Sequence, residues 1–582
     1  MDSIACSTRC EKKYFRDSTR SARSVSIAGI LRGTAGVGLQ RFKHLNVDGA
    51  LKAMTSNPGA YSISKQCERS ITKLSDAEAL VHIGQLIDGA FDASFERAAK
   101  RALYLLDELS KRALIETDGA LVEYFRANAW SALSYIGNVR RSWSWEASER
   151  QEELLALSRA SNHAGFASLG KMRQCQILTN HANLLNTVGR TIDAIAIWDK
   201  ALKIIPGFAM ARGNRGVGLR CYAGMVDDSH ERAILALHAF DSFCSTMADD
   251  AMYDSEDPQA PLTFFASQAA ELSGVVDIDA VRTMQNLDHG YEGRSKTERA
   301  YRHWCLEHRL FLCPLNDLGA HLAAAEDDLM LPPLLEGFGD RPDGHLPPPI
   351  VGLFSQMKQE YVSARFLLFE GITSTQTHFS DRRVTLTDTL DYPLYSLASE
   401  RIRTAFRIAY SLLDKVAFLV DRYWNLGKIP DRISFKNVWM IEKKARLLPQ
   451  FEERDNLPLR GLFWLSKELF DDQLKQTTAA DARELHSIRN ALEHTYLRVS
   501  EGWAKPFMIN GTNNSGFGIA IGSDELEAKA MRVMKMARSA MLYICFAINV
   551  EERQKQLAIS GQPIGSMPLY GLNEKRKRRD PF

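Results

Sequence analysis

Ala479 to Val499 reads AADARELHSIRNALEHTYLRV. Leu485, Ile488 and Leu492 recur at i, i+3 and i+7, which lays one apolar stripe along an α-helix. His486, Asn490 and His494 are spaced by four and line another face. Arg489 stands beside them, and Glu493 follows it by four residues, within pairing reach. Packing requires only the apolar stripe. Two histidines, an asparagine and an Arg–Glu pair gathered away from it predict a chemical site or a polar seam between subunits.

Reading outward, the flanking text is also helical. Leu394 to Gly427 is one long helix or two in line, ended by Gly427 with Pro430 beyond it. Leu457 to Phe470 is a second helix and Ala479 to Val499 a third. Ser500 to Ser523 is rich in Gly and Asn and reads as a small hairpin. Ser523 and Asp524 then cap a last helix that runs to about Glu552. Several helices in so short a span predict a bundle over 391–556. Beyond it, 557–582 is a basic tail containing KRKRR from Lys575, Arg576 included.

Upstream, helix follows helix over 46–285. In Gln176 to Pro206, Ala194, Trp198 and Ala201 recur at four and then three residues, after a break at Gly189. Asn180 and Asn214 lie 34 residues apart. This period resembles the tetratricopeptide repeat, in which small residues let paired helices approach closely. Trp198 and Leu185 are expected in the core. Residues 286–390 form a connector with an aromatic-dense stretch, a Pro/Gly-rich one from Leu331 to Gly352, and a helix from Phe354 to Gly371. Residues 1–45 read as a flexible basic arm. The fold class expected is all-α: a repeat solenoid followed by a bundle with a hairpin insertion.

Composition narrows the function. With 73 Lys and Arg against 71 Asp and Glu, the net charge of +2 gives no chain-wide attraction to nucleic acid, so any basic surface is local. The nine cysteines lack zinc-knuckle or redox spacing, which fits a reducing cytoplasm. No long uncharged apolar run predicts a membrane span. There is no GxxxxGK[ST], no GxSxG and no metal-ligand spacing, so neither cofactor nor metal is expected.

Arg489, Asn490 and His494 resemble the motif of the HEPN superfamily, in which an arginine and a polar residue precede a histidine after four to six intervening positions. Arg302 and His308 also fit that spacing, in the aromatic-dense stretch, and are read as a coincidence. The text from about 300 to 550 resembles a bacterial HEPN branch whose domain follows tetratricopeptide-like repeats. The resemblance implies metal-independent RNA cleavage: the ribose 2′-hydroxyl attacks phosphorus and leaves a 2′,3′-cyclic phosphate. His494 would transfer protons and Arg489 hold the phosphate, with Asn490 orienting them and Glu493 and His486 in support. It further implies a homodimer through this domain and RNA as partner, tRNA among the candidates. The repeats would sense a protein or peptide trigger, in anti-phage defence or stress. His378, Asp381, Arg382, Lys575 and Arg576 are candidate RNA contacts. The alternatives are a non-catalytic scaffold of repeats and dimerising bundle, and a nucleotidyl modification of Tyr496.

Overall fold

In the computed structural model, Ser75 opens the first long helix through a capping box. Its hydroxyl accepts from the Glu78 N–H, and the Glu78 carboxylate accepts from the Ser75 N–H at 2.9 Å. The structure describes residues 63–137, 145–254, 257–335, 348–389, 392–441, 446–452, 454–470, 480–501, 518–559, 565–569 and 571–572. The arm at 1–45 and the Lys575–Arg576 run lie outside them.

Helical hairpins fill the N-terminal half. Helices α1 (Asp76–Asp92), α2 (Glu96–Leu109), α3 (Glu116–Ile136) and α4 (Ser148–Asn162) lead to the pair α5 (Lys171–Thr187) and α6 (Thr191–Ile204). The pair α7 (Ala209–Met225) and α8 (Ser229–Cys244) follows, then α9 (Gln259–Ser273), α10 (Ile278–Met284) and α11 (Lys296–Glu307). Trp198 is buried between the two hairpins, where a Cβ on Gly218 would come within 2.3 Å of its ring. Asn180 and Asn214 occupy the first helix of successive hairpins, and both are buried.

The C-terminal half is a bundle. It comprises α12 (Pro349–Thr373), α13 (Leu397–Trp424), α14 (Leu457–Phe470), α15 (Ala480–His494) and α16 (Ser523–Ala558). α12, which the sequence places within the connector, packs along most of α13 and so adds a helix to this bundle. α13 is a single helix. It ends at Asn425, whose left-handed conformation (φ 50°) closes it before Gly427. α16 is long and apolar enough to cross a membrane by length and composition alone, yet its apolar window is almost wholly buried, as in a core helix.

Three details correct the sequence reading. α15 stops at His494, and Leu497–Ser500 forms strand β1. β1 pairs with β2 (Ile519–Gly522) in parallel, so the insertion is a crossover and not a hairpin. Gly/Asn-rich sequence between short β-runs signals a turn without fixing strand direction, which depends on how the connection returns. The last helix is capped at Gly522, without the side-chain bond expected there, and runs on to Ala558.

One core joins the halves: buried residues from Ala120 to Ile548 form a continuous cluster. At its centre the α5–α6 turn crosses α14 backbone to backbone. Gly189 has φ +93°, and a Cβ on it would meet the Leu457 carbonyl at 2.2 Å. A Cβ on Gly461 would meet the Gly189 carbonyl at 2.3 Å, so neither position tolerates a side chain. Next to this crossing, buried Arg190 pairs with Asp193 at 3.1 Å and with Glu468, which Arg532 also meets at 2.9 Å. On the far side, Arg538 of α16 pairs with buried Asp317 at 2.8 Å and donates to the Phe311 carbonyl at 2.6 Å. Asn549 and Arg553 then reach the carbonyls of Met225, Gly224 and Val226, beyond the end of the α7 helix ladder.

Candidate active site

α15 seats itself through Leu485, Ile488 and Ala491, all buried, while Leu492 packs partly against the core. At roughly 100° per residue this apolar face leaves His486, Asn490 and His494 together on the outward side. Arg489 lies at the border and is half-buried, whereas His486, Glu493 and His494 are exposed. On the same geometry Arg489 and His494 project about 140° apart around the helix.

A polar chain links these residues to α13. Arg489 donates to Asn490 Oδ1 at 3.2 Å, which leaves the Asn490 amide nitrogen to meet His486 Nε2 at 3.1 Å. With that nitrogen donating, Nε2 is the acceptor and the ring proton sits on Nδ1, 3.3 Å from the Tyr410 hydroxyl. Phe470 holds the His486 ring edge-on. Arg489 therefore faces Asn490, and among the described residues it is not ion-paired with Glu493 as the four-residue spacing had suggested. Behind it, burial and the nearby Asp414 push the Tyr410 hydroxyl well up, opposed by the Arg489 charge. Burial likewise raises the Asp414 carboxyl, against the Phe435 N–H bond and Arg489. Tyr410 and Asp414 thus complete the environment of the site. Sequence reasoning missed them because α13 precedes α15 by more than fifty residues and no local pattern ties the two.

The other candidates separate. Asp381 accepts from the Leu397 N–H at 2.9 Å and so anchors the start of α13. His378 meets the Ser380 hydroxyl at 2.7 Å, and Arg382 is exposed. The Arg302–His308 match is structural. Arg302 donates to the Ala325 carbonyl at 2.6 Å, and Trp304 packs edge-on against His308. One group of potential ligands, scattered in sequence, was also not foreseen. Glu231, Cys313 and Asp328 bring their ligand-capable atoms within 4.8 Å of one another. There the Cys313 thiol donates to the Glu231 carboxyl, which burial and the Asp328 charge push up to about 8.

Residues 342–551 match the family model of LA2681-like HEPN. The C-terminal bundle is an HEPN domain. The match takes in α12 to α15 and most of α16, with Arg489, Asn490 and His494 inside it. Neither the curated proteins nor the solved structures include a significant match to this chain. The HEPN domain gives the motif on α15 its context and fits an RNA-related role.

Proposed function

We propose that the HEPN domain is an RNA endonuclease that needs no metal and acts through the ribose 2′-hydroxyl. The observation that carries this reading is the outward stripe of His486, Asn490 and His494, with Arg489 joined to it through Asn490. Arg489 supplies a fixed positive charge for the scissile phosphate and for the negative charge that grows on it. His494, exposed at the helix end, takes the 2′-hydroxyl proton or returns one to the leaving 5′-oxygen. Because Arg489 and His494 diverge around one helix, a second copy would supply the opposing half of the cleft in a homodimer. The helical hairpins upstream, packed on the bundle, would restrain or release the site when a partner binds, in anti-phage or stress responses.

A second reading, a non-catalytic dimerising scaffold, is favoured by the extent to which Asn490 and His486 already satisfy each other. Cleavage of total RNA by the purified protein in EDTA tests the choice. Wild type should produce 2′,3′-cyclic phosphate ends. Arg489→Ala and His494→Ala should each lose at least about 100-fold in rate, as expected when a charge-stabilising or proton-transfer group is removed. Equal cleavage by all three would remove the assignment.

A further inference from the structure

Close to His494, one surface of the HEPN domain gathers exposed aromatic rings. Tyr496 follows His494 by two residues, and its hydroxyl meets that of Tyr395 at 3.0 Å. Tyr395 directly follows the segment that pairs with β1, where the Leu394 N–H donates to the Val499 carbonyl at 2.9 Å and Pro393 bridges Ser500. Tyr392 begins that segment with φ 54° and an exposed side chain. A bulky residue with positive φ is strained and persists where its surroundings impose it. Here the Glu501 N–H bonded to its carbonyl helps fix the backbone. Asp381 draws the 378–382 turn onto the start of α13, which adds Phe379, 75% exposed and tilted against the His378 ring. Arg382 and Arg383 follow in the same turn. Both are exposed and, among the described residues, neither is ion-paired.

Exposed phenol rings, with two exposed arginines on the turn that Asp381 anchors at the start of α13, fit a partner that is both flat and anionic. Unpaired nucleotides have that chemistry. Their bases present π-faces to stack on, and their phosphates answer the arginines. A duplex keeps its bases stacked inside and offers no face to a tyrosine. We propose that Tyr395 and Tyr496 form a stacking platform for unpaired nucleotides flanking the scissile linkage, with Arg382 and Arg383 on the phosphates. This rests on reading α15 as an RNA-cleaving site, and it narrows the substrate to single-stranded RNA.

The test uses full-length His494→Ala protein, which binds without cutting. Fluorescence anisotropy is read with a labelled single strand of about 12 nucleotides and with the same strand in a duplex. The single strand should bind more tightly. Tyr395→Ala with Tyr496→Ala should weaken it by about 10-fold or more, while Tyr395→Phe with Tyr496→Phe, which keeps both rings, stays within about 3-fold. Arg382→Ala with Arg383→Ala should flatten the salt dependence by roughly 1.4 in log–log slope. Equal affinity for both RNAs, indifferent to the tyrosines, overturns the platform. So does a sedimentation shift showing that the alanine pair dissolves a dimer while RNA affinity is unchanged. Cleavage by the wild type in EDTA separates the two ideas. Cleavage with tyrosine-independent binding removes the platform and leaves the nuclease; absence of both binding and cleavage removes both.

Discussion

At the residue scale, burial and charge set which groups are at rest. Glu231 sits against Cys313 and near Asp328, and its carboxyl is pushed up to about 8. Since its folded value lies above the ordinary 4.5, the folded state holds this proton more tightly than the unfolded chain. Its contribution is therefore fully present below about 4.5 and is lost as pH rises toward 8. Glu231→Gln keeps the neutral shape and removes the titration. We predict that it matches wild type near pH 5 and exceeds it by about 2 kcal/mol or more at pH 9. Unfolding midpoints across that range check this; a constant offset at every pH would mean the carboxyl is not the group that titrates.

At the scale of elements, the HEPN helices are held by few but buried polar joints. Asp317 has no exposure that water could use to solvate it, and it receives both the Arg538 guanidinium and the Tyr222 hydroxyl, the latter at 2.7 Å. Removing one partner of such a pair strands a buried charge, whereas replacing both with apolar groups is often neutral. Asp317→Ala should cost roughly 3–5 kcal/mol, and Asp317→Leu with Arg538→Met should recover most of it. Denaturant titration distinguishes these outcomes, and an additive loss in the double variant would show that the two side chains act separately. What was legible in sequence at this scale was local. The stripe of Leu485 and Ile488 fixed both the helix and the side on which His486, Asn490 and His494 emerge, since both follow from one period. The parallel β1–β2 pair, the Tyr410–His486 contact and the role of Asp381 were not legible, because each depends on residues brought together from distant segments.

Taken whole, the chain is less divisible than its sequence suggests. A repeat region and a bundle read as two bodies joined by a connector, since periodicity shows that a helix has an apolar face but not what covers it. In the structure α16 is covered on several sides at once, by α13 and α14 from the bundle and by α7 and the 311–317 segment from upstream. Tyr543 illustrates the consequence. Deep within α16, it donates to Asp193 at 3.0 Å and accepts from the Ile192 N–H, both on the α6 hairpin. Without the hairpins its hydroxyl, Arg538 and much of the α16 apolar face would be bare, a patch far larger than soluble domains tolerate. We therefore predict that residues 342–582, although they contain the whole family match, do not fold alone. The fragment should aggregate or give a broad, uncooperative thermal transition with weak near-ultraviolet dichroism, while the full chain unfolds sharply. A soluble fragment with a cooperative transition would show that the shared core is dispensable. If the fragment fails and residues 63–335 supplied in trans restore it, the hairpins are a structural half of the HEPN domain, and a trigger bound on them has a direct mechanical route to α16 and the α13–α15 site packed against it.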